Sequence, residues 1–303
     1  MGDDYQIESI EFGNWFSVIR SYLPLGAVHE LDRMYRTADK GLSIFWDRVR
    51  VLHDSIEESM SKNGFSKKLD HSLFYRCYTD EIVLCLNYDG LYGINNINRF
   101  LQASNENQAY FWGEAIYRVG DPVLFNENDR FRPLIFNNMK GTIVGIGREL
   151  GKITFDVDLK LGRAVTEAEV DGINLRLIEG SVVQFDVIDR PDTDEDDDSS
   201  ETIVPFQIAY AVSIHKAQGL EFDSVKVVIT ESNEERISHS IFYTAITRAR
   251  KNLEVYWTPE TQKRVLSRME IRENRKDKNL LMQRRGVKVI NKMPRRQKNR
   301  LIP

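Results

Sequence analysis

A chain of 303 residues, 41% apolar and 29% charged, can bury the cores of two structural units and has a globular composition, neither membrane-like nor disordered. No apolar run approaches the roughly 20 residues that cross a bilayer, and the acidic start MGDDYQIESIEFG is unlike a secretory signal, so a cytoplasmic location is expected. Residues 263–303 hold 15 Lys and Arg against 3 Asp and Glu, so the net charge of −4 conceals −16 on the rest; such a tail suits an anionic partner such as nucleic acid and, equally, plain solvation.

In chain order, residues 14–23 place Trp15, Phe16, Ile19, Tyr22 and Leu23 at helical spacing, and Pro24 closes that helix. A second helix is predicted from about Ala38 to His53, with Leu42, Phe45, Trp46 and Val49 on one face. Cys77 and Cys85 lie in no CxxC or Cys/His pattern, so neither a disulfide framework nor a zinc site is indicated. Ile82–Leu86 reads as a short buried strand, followed by the turn-forming Asn87-Tyr88-Asp89-Gly90 and a helix near Ile94–Leu101. This is an α/β pattern.

From Tyr117 to about Ile188 the pattern changes to short β-rich runs (VGDPVLF, GTIVGI, ITFDVDL, SVVQFDVI) separated by Gly, Asn and Asp, which predicts a small barrel or sandwich. The acidic run DTDEDDDSSE at Asp192–Glu201 reads as a loop; contiguous carboxylates lack the spacing of a metal site. The α/β pattern then resumes at Ile203.

Chemistry concentrates in Ala209–Thr230, AYAVSIHKAQGLEFDSVKVVIT, where two apolar runs, read as parallel strands, flank a polar elbow. Ligands of open α/β sheets bind at the carboxyl ends of strands, which is where Ser213, His215, Lys216, Gln218 and Glu221 are expected. Ser213, His215 and Lys216 can donate to phosphate, and Gly219 lets a backbone approach a ligand. Taken singly, each reads as ordinary structure. Farther on, Ile241–Trp257 (IFYTAITRARKNLEVYW) reads as a helix ending near Arg250 and then a strand. On such a helix Arg248 and Arg250 would lie roughly 200° apart, leaving Arg250 as a helix C-terminal cation or a solvent contact.

The elbow resembles motif V of UvrD- and RecD-type superfamily 1 helicases, Thr-x-His-Lys-x-Gln-Gly-x-Glu, with Ser213 in place of Thr. Tyr243-x-Ala-x-Thr-Arg248-Ala resembles motif VI. Gly2-Asp-x-x-Gln6 resembles motif III, and Leu31–Thr37 resembles motif IV, with Met34 where the family often has Asn. The four occur in the family's order. The resemblance implies that Ser213 and His215, with Lys216 beside them, face DNA, and that Gly219 and Glu221 face the nucleotide. It further implies that Gln6 senses the γ-phosphate, and that Arg36 and Arg248 place permanently charged, planar guanidiniums on the γ-phosphate oxygens. Gly-Ile-Asn-Asn-Ile-Asn near residue 95 and Val119–Gly141 agree with the RecD-like branch, in which an SH3-like barrel lies between motifs IV and V. There Asn138 replaces a glycine and tolerates positive φ.

The resemblance implies a RecA-like parallel-sheet fold with an inserted SH3-like barrel and a basic tail. Residues 1–24 would be the remnant of a first RecA-like domain, 25–112 and 203–258 a second one in two parts, 113–190 the barrel, 191–202 the acidic loop and 259–303 the tail. A complete motor uses ATP and Mg2+, held by a GxxxxGK[ST] loop and a strand-terminal carboxylate. Neither is found: Gly145–Thr154 carries Ile146 and Ile153 at key loop positions, and Asp80-Glu81 precedes its strand. The expected function is therefore the C-terminal part of an ATP-dependent DNA helicase, with single- or double-stranded DNA and a missing N-terminal RecA-like half, in cis or in trans, as partners. Two consequences are expected. Residues 1–24 should be poorly anchored without their parent sheet, and the isolated chain should hydrolyse ATP only at background rate. The alternative is a non-enzymatic nucleic-acid-binding accessory protein whose helicase motifs are relics.

Overall fold

Asp39 opens the first long helix. Its carboxylate accepts the Leu42 N–H at 2.8 Å, satisfying one of the donors that a helix start leaves unpaired. In the computed structural model the described residues are 3–7, 18–20, 22–29, 36–126, 130–189, 200–271, 279 and 283. Gly2, half of the expected 14–23 helix, Leu31–Met34, most of the acidic run and nearly all of the chain beyond 271 lie outside them. The chain divides into two compact units, Met1–Leu86 with Ala217–Pro303, and Asn87–Lys216.

In the first unit, helix α1 (Lys40–Arg50) buries Leu42, Phe45, Trp46 and Val49, the face that the spacing predicts. After α2 (Ile56–Lys62) come strand β1 (Ser66–Lys68) and strand β2 (Glu81–Cys85), in which every residue is buried. Cys85 is a free buried thiol, pushed up to about 12 by burial, whereas Cys77 is exposed.

The second unit begins with α3 (Ile94–Ala103), entered at Gly93, where a Cβ would stand 2.4 Å from the Asp89 carbonyl oxygen. A hairpin of β3 (Ala109–Trp112) and β4 (Ala115–Arg118) precedes β5 (Pro122–Phe125), β6 (Lys140–Glu149), β7 (Lys152–Asp158), β8 (Arg176–Glu179), β9 (Val182–Ile188) and β10 (Phe206–Ile208). The last six form one sheet in the order β10-β5-β6-β7-β9-β8, and all of its pairings are antiparallel. Along β7 and β9 buried residues alternate with half-buried ones, as a sheet with one packed face requires. Phe125, Phe131, Phe155, Phe185 and Phe206 meet in its core.

Asn138 adopts φ +64°, the conformation its replacement of glycine calls for, and its N–H donates to Phe125 O at 2.8 Å. Gly145–Thr154 lies on the β6–β7 hairpin with no helix after it. One expectation is corrected here: β10 follows the acidic run yet pairs with β5, so the antiparallel unit extends past residue 203. Its aromatic Phe206 is 4% exposed in the shared core, and that burial draws the strand in. Asp121, fully buried, ties the unit together by accepting from Gln102, Asn105, the Arg118 amide and the Tyr210 hydroxyl at 2.6, 2.9, 2.9 and 2.8 Å.

Strand β11 (Ala211–Ser213) ends this unit, and the chain returns to the first with β12 (Phe222–Val228), α4 (His239–Ile246), β13 (Ala249–Trp257) and α5 (Pro259–Arg268). There β2 and β13 flank β12, and β1 lies outside β13, all parallel. Val225 and Val227 are wholly buried, worth about 1.5–3 kcal/mol each. Helix α5 corrects the reading of a tail starting at 259. Thr261 and Val265 are buried, and Arg264 and Arg268 pair with Glu234 at 3.1 and 3.7 Å.

Candidate functional site

Two parallel neighbours begin at the same edge of the sheet. Glu221 immediately precedes β12, Arg248 immediately precedes β13, and the Phe222 N–H donates to Arg248 O at 2.9 Å. The expectation of a site at the carboxyl ends of strands is therefore corrected for Glu221, which stands with Arg248 at the amino ends of β12 and β13. Gly219, in the turn leading to Glu221, has φ +87° with open space around a would-be Cβ, so glycine is needed there for conformation and not for room.

The helix expected to run to Arg250 ends at Ile246, with Thr247 as its cap and β13 starting at Ala249. The 200° argument therefore does not apply. Arg248 turns inward and is 1% exposed. Its Nε donates to Thr244 O at 2.9 Å, Nη1 to Leu220 O at 3.1 Å and Nη2 to Thr247 Oγ1 at 3.2 Å. Burial, then the positive charge of Arg36, bring its guanidinium down to about 10, so it stays charged at neutral pH. Arg36 lies alongside, Nε to Glu221 Oε1 at 2.6 Å and Nη1 to Thr247 O at 2.9 Å. The structure thus gathers Arg36, Glu221 and Arg248 into one corner.

Beside this corner opens a cleft of about 540 Å3 lined by Arg36, Ala38, Asp39, Asp223, Arg250 and Lys251. Arg250 is no helix-terminal cation. It bridges Asp80 and Asp223 at 2.8 and 2.7 Å, and Lys251 joins Asp223 at 2.9 Å. Burial works against the Asp223 carboxylate, but Lys251 and Arg250 hold it below its ordinary range. Glu81 pairs with the buried Lys226 at 2.9 Å, so both acids of the Asp80-Glu81 pair have cationic partners within the fold.

Residues Asp3–Ile7 are anchored, contrary to expectation. The Ile7 N–H donates to Thr244 Oγ1 at 2.8 Å, and Ile7 O accepts from Gln218 Nε2 at 2.9 Å. Tyr5 meets the rings of His239 and Tyr243 edge-on at 6.2 and 6.1 Å, and Asp4 pairs with Arg20 at 2.7 Å. The grip comes from α4 and the residue-218 turn, so no parent sheet is needed to hold this segment. Gln6 itself donates to Asp3 Oδ2 at 3.1 Å.

Ser213, His215 and Lys216 belong to the other unit. Ser213 is buried and its Oγ accepts the Lys216 N–H at 3.2 Å. Lys216 Nζ donates to Gln207 Oε1 at 2.5 Å, and His215 is exposed. The motif V-like stretch is thus shared between the units, its phosphate-donor trio in one and Gly219 and Glu221 in the other.

Residues 208–256 match the UvrD-like helicase C-terminal domain family. The chain is 22% identical over 190 residues to the RecBCD enzyme subunit RecD of Buchnera aphidicola subsp. Schizaphis graminum, covering 61% of this chain and 26% of that protein. It is 27% identical over 165 residues to the ATP-dependent RecD2 DNA helicase of Deinococcus radiodurans, covering 53% and 18% respectively. Its fold is that of a Pif1 helicase from Bacteroides solved in complex with ADP-AlF3 and ssDNA, with TM-score 0.52 and 15% identity over 94% of this chain and 66% of that one. The chain spans about a quarter or less of these two curated relatives. Among the described residues no helix is long and apolar enough to cross a membrane.

Sequence reasoning missed three contributors. Thr244 falls on a variable position of the motif VI pattern and carried no signal. Asp223, which holds Arg250, carried no signal either. Lys226 did leave a trace, a lone cation inside the apolar run VKVVIT, where burial without a partner would be prohibitive.

Proposed function

We propose that this chain is the arginine-bearing part of an ATP-dependent DNA helicase, acting with a RecA-like half that carries the phosphate loop and the magnesium carboxylate. The supporting observation is the convergence of Arg36, Glu221 and Arg248 at the amino ends of two adjacent parallel strands. Glu221 holds Arg36, and Asp3 acts electrostatically on Arg248, so displacing these carboxylates would present two guanidiniums to the anionic end of ATP. The Mg2+ carboxylate is assigned to the other half because Asp80 and Glu81 here lie at the start of their strand and pair with Arg250 and Lys226. Bound ATP would supply the phosphoryl chemistry that drives stepping.

This chain's residues would orient and neutralise. Arg36 leaves Glu221 for the γ-phosphate oxygens, Glu221 is freed for the nucleotide's hydroxyls, and Arg248 exchanges its three protein acceptors for phosphate oxygens. Gln6, at the end of the anchored segment, would report nucleotide state. Ser213, His215 and Lys216 are read as DNA contacts, the antiparallel unit as the SH3-like insertion that adds contact surface, and the basic residues beyond 271 as non-specific phosphate contacts.

The three inward hydrogen bonds of Arg248 favour a second reading, in which the corner is a structural relic in a DNA-binding accessory protein. Mixing the chain with a first RecA-like domain from a RecD-type helicase decides between them. DNA-stimulated ATP hydrolysis that disappears with Arg248→Ala supports the motor. Salt-dependent DNA binding with no ATPase in any mixture supports the relic.

A further inference from the structure

Thr244 lies inside α4 and is wholly buried, a position that valine would fill equally well by shape. Its two oxygens serve two different parts of the first unit. Oγ1 accepts the Ile7 N–H at 2.8 Å, and the carbonyl accepts Nε of Arg248 at 2.9 Å. The peptide of Ile7 is held from its other side by Gln218, whose Nε2 donates to Ile7 O at 2.9 Å. Side chains therefore give Ile7 both hydrogen bonds that a neighbouring strand would give. At the far end of the same segment, the Asp3 carboxylate lies close enough to act electrostatically on Arg248, His239 and Tyr243.

We propose that Thr244 is a positioning residue that ties the Asp3–Ile7 segment to the guanidinium of Arg248, with Gln218 as the second jaw of the clamp. The inference rests on Arg248 being the group that must move toward an anion, and it gives that movement a handle. When Asp3–Ile7 is drawn away, the hydroxyl of Thr244 loses its donor and Arg248 loses the cover of the segment. When the segment is seated, Arg248 is kept on its protein acceptors. A hydroxyl inside a helix ordinarily turns back on its own carbonyls; here it is committed to a chain segment 237 positions away.

The test uses the full chain, without ATP or DNA, and two probes read by mass spectrometry: amide hydrogen exchange over Asp3–Ile7, and the rate of phenylglyoxal modification of Arg248. Wild type and Thr244→Ser should be slow in both. Thr244→Val should accelerate both by roughly tenfold, the change that loss of one buried hydrogen bond gives. Gln218→Leu should release the segment and raise the Arg248 rate in the same direction. If Thr244→Val does not fold, Ile7→Pro removes the N–H donor from the other side and should accelerate Arg248 equally. Free exchange at Asp3–Ile7 with unchanged Arg248 modification overturns the coupling, as does no change in either probe. Neither readout depends on hydrolysis, so a failed ATPase reconstitution would leave this result standing, and the converse also holds.

Discussion

Arg36 and Arg248 share one proposed task but should differ sharply in what their removal does to the fold. Arg248→Ala leaves the Leu220 carbonyl without its donor, at about 1–3 kcal/mol, and costs Thr244 O one of two donors, the Thr247 hydroxyl remaining, at about 1 kcal/mol. The emptied volume adds about 1–3 kcal/mol. Against this, the lowering of the guanidinium to about 10 corresponds to roughly 3 kcal/mol of unfavourable cation burial that the substitution relieves. The net loss is about 2 kcal/mol, or roughly 4–8 °C in melting temperature at about 2–4 °C per kcal/mol for a chain of this class. Arg36→Ala breaks a pair whose side chains are 28% and 39% exposed, and should cost no more than about 1 kcal/mol. Urea unfolding followed by tryptophan fluorescence measures both, since Trp46 and Trp257 are buried in the unit concerned. Equal shifts for the two variants, within about 0.5 kcal/mol, would refute the inward placement of Arg248. The same numbers set a condition on any activity assay. An ATPase loss of about 10^3–10^5 expected for a missing arginine finger is interpretable only well below the lowered melting point.

Lys226→Met strands the Glu81 carboxylate in the sheet and should cost about 3–5 kcal/mol, most of it recovered when Glu81→Leu is added; additive costs in the double variant would argue against the pair. His239 is held below its ordinary value of 6.5 by burial, which outweighs the Val49 carbonyl and Asp3. The unfolded chain therefore takes the proton first as pH falls, stability is full above about pH 6.5, and it declines below. His239→Gln should flatten that decline between about pH 7 and 5, and an unchanged pH–stability curve would exclude the histidine as its source. Gly219→Ala meets no steric neighbour, so its cost should be conformational alone, about 1–2 kcal/mol by thermal melting. A larger loss would point to contacts that the open surroundings do not contain.

Much of this was legible in the chain because local patterns and tertiary packing agree. Leu42, Phe45, Trp46 and Val49 announce α1 by spacing, the apolar run after Glu81 announces a strand buried on both faces, and Asn138 sits where only a residue tolerant of positive φ fits. The misreadings fall where tertiary context decides. The helix at residue 241 runs out at Ile246 because the chain must enter β13 at Ala249, beside β12, and helical periodicity carries no mark of that partner. The edge of the sheet that holds Glu221 and Arg248 depends on strand direction, which residue types do not encode. That Arg248 points inward follows from three acceptors, two of them backbone carbonyls, to which any sequence is blind. The anchoring of Ile7 depends on a hydroxyl and a carboxamide contributed from far along the chain.

The parallel pairing of β2 with β12 has a consequence for the order of folding. Ile82 and Val225 are register partners, yet the whole of Asn87–Lys216 is made between them. Closing so long a loop adds only about 0.6 kcal/mol for each doubling of its length, so the finished sheet loses little stability. The kinetic effect is larger, because non-local strand pairing is slow. On a ribosome β2 emerges with its hydrogen-bonding edge unmet until more than a hundred further residues have followed. Collapse of the antiparallel unit about its phenylalanine cluster would shorten the search that remains once β12 is made, because it draws the two ends of the intervening segment together.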